Sequence, residues 1–297
     1  MSGAGANIPS GELARAIARS LAGGAVAALA TALEAPGRPE AVGAKILVEE
    51  DGTRAGTTGS AALDAAVGEF APAFLASRAE ARTFRVEELA APRVAGSVRP
   101  EEPAEAGRQL PPGLEEWRGA RLLFERIEPE PHVVVCGAGH VGASLARLAA
   151  AVGYRVTLID DRRDFVVRER FPGEPIALVA AEGGWAEAVN RVVGRGRGVS
   201  VAVVTRGHNE DEECMSAVLA ARPDYVGMIG SKRRTNIVLA RLREAGFPDE
   251  TLREVRAPIG LDIGAVSPEE VALAVLAEII AHRRGGTGRP LSAWRRE

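Results

Sequence analysis

Three glycines follow a short run of apolar residues near the middle of the chain. The run His-Val-Val-Val-Cys ends at Cys136, and Gly137, Gly139 and Gly142 follow it in the stretch GAGHVG. Glycines at this spacing allow a tight turn, bring backbone close to a pyrophosphate, and let the next helix pack closely on the strand. The amides at the start of that helix face the phosphates. The pattern therefore predicts a nucleotide-binding turn, which also contains His140.

Two acidic residues stand where such a turn requires a partner for a ribose. Asp160 and Asp161 end the predicted strand VTLID and follow it directly. A carboxylate at this place, about twenty residues after the glycines, accepts hydrogen bonds from a ribose 2′-hydroxyl. The sequence leaves open which of the two contacts the ribose. The alternative is an inherited fold with an empty site, in which both residues are simply solvated.

A second candidate loop follows the predicted strand VSVAVVT. Thr205, Arg206, Gly207 and His208 lie where the carboxyl end of a parallel strand faces the ligand crevice. His208 could transfer a proton or donate a hydrogen bond to a ligand. The acids of residues 211–213 are explained by attraction to the positive end of a helix dipole.

A third candidate loop contains Gly230, Ser231, Lys232 and Arg233, after the predicted strand YVGMIG. Cations in the first turn of a helix oppose its dipole, so an anion is expected to compensate them. Phosphate contact is the functional interpretation, and a basic solvated surface is the alternative.

A fourth loop, with Gly260 and Asp262, is rich in glycine and is predicted to pack on a ligand or on the other domain. It precedes a capping box of Ser267 and Glu270, with Pro268 at the first helical position. The capping box needs no catalytic explanation.

No complete catalytic group is present in the sequence. The chain has no GxSxG motif and no HExxH motif, and its two cysteines form no CxxC pair. Catalytic residues are therefore unknown, with His140 and His208 as candidates, and no metal site is predicted.

The elements that position these loops fall into two predicted domains. Strands and helices alternate over residues 131–285, which predicts a doubly wound parallel sheet of the Rossmann type, within the α/β class. Residues 1–95 predict a smaller α+β domain with a helix, a hairpin at Asp51-Gly52, a second helix, and ARTFRVEEL as a strand. Residues 96–130 are predicted to be a linker with a connecting strand, and residues 286–297 a tail.

Composition and charge argue against a nucleic-acid-binding protein, a membrane-spanning protein and a secreted protein. The 297 residues carry a formal net charge of −3, and lysine and arginine are spread along the chain. This distribution predicts no nucleic-acid partner. No apolar run is long enough for a membrane span, and the amino terminus has no signal-peptide pattern. With Cys136 and Cys214 as the two cysteines, we expect a cytoplasmic protein.

Several of these segments together resemble one family. GAGHVG, the acid pair, TRGHNED, IGSKRR and APIGLDIGAVSPEEVALAVLAEI follow one another as in the XdhC/CoxI family, accessory factors of xanthine dehydrogenase and related molybdenum hydroxylases. The resemblance covers Val133 to Arg283, and GAKILVEEDGTRAGTTG resembles the family's first domain. It implies binding of the molybdenum cofactor, as molybdopterin or molybdopterin cytosine dinucleotide. It also implies sulfuration by a cysteine desulfurase and delivery to a hydroxylase.

One departure from the family pattern concerns a cysteine. Where the family has GTIGGGC followed by an acid, this chain has GTTGSAALD, with Ala62 in place of the cysteine and Ser60 and Ala61 in place of glycines. A missing thiolate removes the soft ligand best suited to molybdenum or to sulfur transfer.

These observations favour a non-catalytic maturation factor that binds a molybdopterin-type cofactor and docks on a molybdenum hydroxylase. The pyrophosphate and ribose of a dinucleotide cofactor match what a Rossmann crevice holds. One alternative is an NAD(P)-dependent oxidoreductase with His208 or His140 as the acid. Another is a nucleotide-sensing protein without chemistry, and the sequence leaves a homodimer open.

Overall fold

The computed structural model describes residues 10–23, 25–77, 79–89, 110–194, 196 and 198–292. The chain divides into two compact units, Met1–Pro129 and Glu130–Glu297. Among the described residues, no helix has both the length and the apolar character needed to cross a membrane.

The first unit contains a five-stranded sheet in the order β3-β2-β1-β5-β4, and every neighbouring pair is antiparallel. Its elements are α1 (Ser10–Gly23), β1 (Ala27–Glu34), β2 (Lys45–Glu49), β3 (Arg54–Thr57), α2 (Ala61–Ala76), β4 (Ala81–Arg85), α3 (Val86–Leu89) and β5 (Arg121–Ile127).

The two faces of the central strand β1 are both buried. Successive side chains of a strand point to opposite faces, so Ala27 and Leu29 pack with α1, while Ala28 and Ala30 pack with α2. The larger of these cores contains four phenylalanine rings whose contacting pairs have centroids 4.6 to 6.3 Å apart: Phe70, Phe74, Phe84 and Phe124.

The second unit contains a parallel five-stranded sheet in the order β10-β9-β6-β7-β8. Its elements are β6 (His132–Cys136), α4 (His140–Ala151), β7 (Arg155–Asp160), β8 (Ile176–Ala180), α5 (Trp185–Val193), β9 (Val199–Val203), α6 (His208–Ala221), β10 (Tyr225–Met228), α7 (Lys232–Glu244), α8 (Asp249–Glu254) and α9 (Pro268–Arg284).

The order of these strands reverses beside β6, since the chain first adds β7 and β8 on one side and then β9 and β10 on the other. Val133 and Val135 of β6 pack with α4 and α9, while Val134 and Cys136 pack with α5 and α6. Both faces of the sheet are therefore covered, which explains the nearly continuous apolar strands. The predicted Rossmann-type α/β fold and the smaller α+β domain are confirmed.

The described part of the predicted connecting segment before Glu130, residues 110–129, lies in the first unit. Its strand β5 lies between β1 and β4 in the first sheet. Leu110, Leu114 and Trp117 are buried in that unit's core. The predicted linker between Gly96 and residue 109 lies outside the described residues, and so do residues 293–297 of the predicted tail.

The predicted strand ARTFRVEEL is shorter in the structure. The strand β4 ends at Arg85, and α3 follows as a single helical turn. The carboxylate of Glu88 accepts a hydrogen bond from the Arg85 amide at 2.5 Å. The amide of Val86 still donates to the carbonyl of Ala120 at 3.1 Å, and the chain turns into α3 from that residue onward.

Candidate functional site

The turn after β6 requires glycine at two positions. Gly137 has φ +111°, and a Cβ there would lie 2.6 Å from the carbonyl oxygen of Val204. A Cβ at Gly142 would collide with the carbonyl oxygen of Gly137. Both glycines therefore hold the turn and α4 tightly against the sheet.

Gly139 has neither a positive φ nor a close backbone neighbour that would require glycine. Its backbone, φ −67° and ψ −170°, is open to any residue, and an added Cβ would meet no described protein atom within 4 Å. It is the N-cap of α4, so the first turn has no side-chain cap, and that turn has no acidic residue. Open space therefore lies beside uncapped amides at the positive end of a helix. His140, the first residue of α4, is exposed.

Asp160 holds the glycine turn in place. It is 1% exposed, and its carboxylate accepts hydrogen bonds from the amide of Ala138 (2.6 Å), from the amide of Arg162 (2.9 Å), and from Nε (2.9 Å) and Nη2 (3.0 Å) of Arg162. Burial raises its pKa, but the hydrogen bonds from Arg162 and Ala138 outweigh burial and hold the pKa of Asp160 below its ordinary value. A carboxylate accepts about four hydrogen bonds. The four bonds from Ala138 and Arg162 therefore leave the Asp160 carboxylate without a free acceptor position for a ligand.

Asp161 forms an ion pair across the end of β6. Arg206 donates to both of its carboxylate oxygens, from Nη1 at 3.1 Å and from Nη2 at 3.2 Å. Asp161 follows β7 and Arg206 follows β9, and these strands flank β6. The pair therefore spans the carboxyl end of β6, where the glycine turn lies. The Arg206 side chain is 47% exposed, so an incoming anion can compete for it.

Thr205 belongs to a buried polar cluster that the sequence did not predict. Its hydroxyl donates a short hydrogen bond to Asp211, which is fully buried. Arg234 donates from Nε to the other oxygen of Asp211 at 2.6 Å. Helix α6 begins at His208 with Gly207 as its N-cap, so Asp211 lies in its first turn, as predicted. The structure adds its role, which is to join the loop after β9 to the start of α7. The side chain of His208 lies outside what the structure describes.

The loop after β10 carries exposed cations. Gly230 has φ +154°, and the hydroxyl of Ser231 caps α7 by accepting from the Arg234 amide at 3.2 Å. Lys232 and Arg233 are exposed in the first turn, which contains no acidic residue.

Gly260 follows a segment that pairs with β10. The amide of Ile259 donates to the carbonyl of Met228 at 3.0 Å, and the amide of Gly260 donates to Glu278 at 2.6 Å. With φ +110°, Gly260 needs glycine for its backbone. Asp262, two residues later, is exposed.

The structure thus brings the predicted loops to one edge of the parallel sheet. The glycine turn lies at the centre, between the loops that follow β7 and β9, and the loops at Gly230 and Gly260 lie beyond β9. Ligands of such sheets bind at this edge, where the strand order reverses.

The two cysteines offer no reactive thiol. Cys136 and Cys214 are free and fully buried. Burial, together with the neighbouring Cys136 thiol, raises the pKa of Cys214 well above its ordinary value. No group of three potential metal-binding side chains occurs within the described ranges.

The loop around Ala62 is held by hydrogen bonds to Asp64. This carboxylate accepts from the Thr57 hydroxyl (2.6 Å) and from the Thr58 amide (2.8 Å) and hydroxyl (2.7 Å). Ser60 caps α2, and Ala62 lies half-buried in the first turn of that helix. The loop is therefore ordered without a cysteine.

The fold and the glycine turn define a protein with a Rossmann-type domain preceded by an α+β domain. The model of the XdhC Rossmann domain matches residues 133–279, and that of the XdhC and CoxI family matches residues 20–87. The chain belongs to the XdhC/CoxI family.

Three relatives are similar to the chain over part of their length. The uncharacterized protein YqeB of Escherichia coli K12 is 31% identical over 172 residues, 57% of this chain and 31% of that protein. A probable xanthine dehydrogenase subunit of Bacillus subtilis 168 is 30% identical over 163 residues, 55% and 46% of the two chains. The molybdenum cofactor insertion chaperone PaoD of E. coli K12 is 26% identical over 157 residues, 53% and 42%. The chain spans less than half the length of each.

Proposed function

We propose that this chain binds the molybdenum cofactor at the glycine turn and delivers it to a hydroxylase of the xanthine dehydrogenase type. The names of two relatives support this: one is a molybdenum cofactor insertion chaperone, the other a probable xanthine dehydrogenase subunit. The structural observation that carries the proposal is the open space beside Gly139, next to the uncapped start of α4.

We expect the pyrophosphate of a dinucleotide form of the cofactor to lie in this space. The amides from Gly139 onward would donate to its oxygens, because they have no side-chain cap. Arg206 would contribute a guanidinium on leaving Asp161. Asp161 is then the acid with capacity for a ribose hydroxyl, because the chain itself occupies Asp160.

The metal end of the cofactor has no soft ligand in the described part of this chain. Ala62 has no thiol, and Cys136 and Cys214 are buried. The cofactor supplies the molybdenum chemistry of the hydroxylase, and the residues of this chain bind, orient and release it. Sulfur for the cofactor would therefore come directly from a cysteine desulfurase, without a persulfide on this chain.

Calorimetric titration of the full-length protein with molybdopterin cytosine dinucleotide, NAD+ and NADP+ tests the proposal. We expect the molybdopterin dinucleotide to bind most tightly, and Gly139→Ala to weaken it at least about tenfold, because the methyl group enters the space of the pyrophosphate. Gly11→Ala is the matched control, since a Cβ there also meets no protein atom and the residue lies in α1.

The other outcomes separate the alternatives. Preferential binding of NAD+ or NADP+ would support an oxidoreductase. Equal binding of all three dinucleotides would support a nucleotide sensor. Undiminished cofactor binding by Gly139→Ala would contradict the assignment to the glycine turn.

A further inference from the structure

A cavity of about 800 Å³ lies in the second unit, away from the glycine turn. It is lined by the turn between α6 and β10, by α8 and the segment after it, and by His282 of α9. Tyr225, the first residue of β10, is part of its wall. Because the strands are parallel, this wall is at the amino end of the sheet, whereas the glycine turn is at the carboxyl end.

Three arginines from three different elements line this cavity: Arg222, Arg253 and Arg256. Arg253 lies in the last turn of α8. The backbone of Arg256 is fixed beside β10, since its amide donates to Val226 and its carbonyl accepts from Met228, each at 2.9 Å. The three arginines thus come from separate parts of the chain, and all three residues are exposed.

Arg222 has an unusual backbone. Its φ of +52° and ψ of 55° are left-handed, and it is the one non-glycine residue with positive φ in the described part of the chain. It caps the end of α6, a place where glycine avoids a cost of roughly 1 kcal/mol. Backbone strain of this kind concentrates at functional sites, so Arg222 is a candidate functional residue.

Three arginines and two acids line the cavity, so positive side chains outnumber negative ones in its lining. Within the described ranges, no carboxylate lies within 4 Å of the three guanidinium groups. Two acids, Asp224 and Glu254, line the cavity, and Asp249 has an electrostatic interaction with Arg253. The Tyr225 hydroxyl donates to Glu278 at 2.9 Å, and burial raises the pKa of Tyr225, so it adds no negative charge.

The cavity also offers apolar surface, from Leu219, Val226, Phe247 and Pro248. Its volume is within the roughly 300 to 1,000 Å³ range of small-molecule sites. Guanidinium groups bind carboxylate and phosphate through paired hydrogen bonds. We propose that this cavity binds a small organic anion, whose phosphate or carboxylate groups contact Arg222, Arg253 and Arg256 and whose carbon skeleton packs on the apolar wall.

Calorimetric titration of the full-length protein with AMP, pyrophosphate and citrate tests this. We expect at least one of the three to bind wild type, and the double variant Arg253→Gln/Arg256→Gln to bind it at least about tenfold more weakly. Arg191→Gln is the matched control, because this arginine is 59% exposed on α5 and lies outside the cavity. Arg256→Lys keeps the positive charge but loses the planar guanidinium that donates paired hydrogen bonds. Its affinity for the anion should lie between those of wild type and the double variant.

Gly139→Ala separates this site from the glycine turn. If the cavity binds the anion, affinity is unchanged in Gly139→Ala and reduced in the double variant. Loss of binding in Gly139→Ala with full binding in the double variant would assign the anion to the turn and overturn the proposal. Absence of binding by all three probes would overturn it as well. Binding of AMP and pyrophosphate without citrate would define a phosphate ligand, and citrate alone a carboxylate ligand.

Discussion

Asp160 and Asp161 are adjacent in sequence, but their carboxylates have different surroundings. That of Asp160 is buried and ties the glycine turn to Arg162. That of Asp161 is one-third exposed and pairs with Arg206, which is itself half exposed. The sequence identified both acids, but only their contacts separate a residue that holds the turn from one that can face a ligand.

This difference predicts unequal effects of substitution. Asp160→Asn should lower the free energy of unfolding by about 2 kcal/mol, because it removes charged hydrogen bonds from buried partners. Asp161→Asn should lower it by less than about 1 kcal/mol, since exposed ion pairs contribute little. Urea denaturation of both variants measures the two values. Equal losses would contradict the structural role assigned to Asp160.

His132 predicts a dependence of stability on pH. It is 3% exposed, Arg155 donates to its Nδ1 at 2.9 Å, and its Nε2 is 2.9 Å from the Thr157 hydroxyl. Burial and the charge of Arg155 lower its pKa from 6.5 to about 4. Between these values the unfolded chain binds a proton that the folded chain does not, so stability falls as pH falls through this window, by about 3 kcal/mol in total.

Chemical denaturation at pH 7, 6, 5 and 4 measures this dependence. His132→Gln should lose less stability than wild type as the pH falls through the window. An unchanged slope in His132→Gln would show that other groups cause the loss.

The role of Asp211 was beyond what sequence reasoning could find. From the sequence, attraction to the helix dipole is enough to explain an acid in the first turn of a helix. Nothing in the local sequence indicates that Asp211 also has a specific side-chain partner. The partner, Arg234, lies 23 residues later and beyond a strand. Only the pairing of β9 with β10 brings the two residues together.

At the scale of elements, the strand-turn-helix of β6 and α4 depends on its glycines in unequal ways. Gly142→Ala should lower the free energy of unfolding by about 3 kcal/mol, because its Cβ has no space against the Gly137 carbonyl. Gly139→Ala should cost less than about 1 kcal/mol, which is the effect of a poorer helix cap. Thermal melting compares them. Similar melting temperatures for the two variants would contradict the packing described for α4.

The alternation of elements in the second unit was predictable because each strand is a short apolar run between helices. The strand β5 was assigned to a connection because its partners, β1 and β4, are distant in sequence. Helix α8 was not predicted, since its six residues are too short for a helical pattern. Local patterns thus predicted the elements that carry the glycine turn, whereas pairing over long distances decided the boundary between the units.

At the scale of the whole molecule, each of the two units has its own hydrophobic core. Each unit also carries one feature that bears on the proposed function. The second unit contains the glycine turn with its open space, and the first contains the ordered loop around Ala62. With both cysteines buried in the second unit, the proposed role is to hold and deliver a cofactor. On this proposal, a partner would donate the sulfur.

The molybdenum and pterin content of the full-length protein tests this role most directly. The protein would be coexpressed with the enzymes of molybdenum cofactor synthesis, purified without oxygen, and assayed by elemental analysis and by fluorescence of the oxidised pterin. We expect nearly one molybdenum and one pterin per chain in wild type and in Gly11→Ala, and a strong reduction of both in Gly139→Ala. Equal content in Gly139→Ala and wild type, or wild-type protein that retains NAD(P) and neither metal nor pterin, would contradict it.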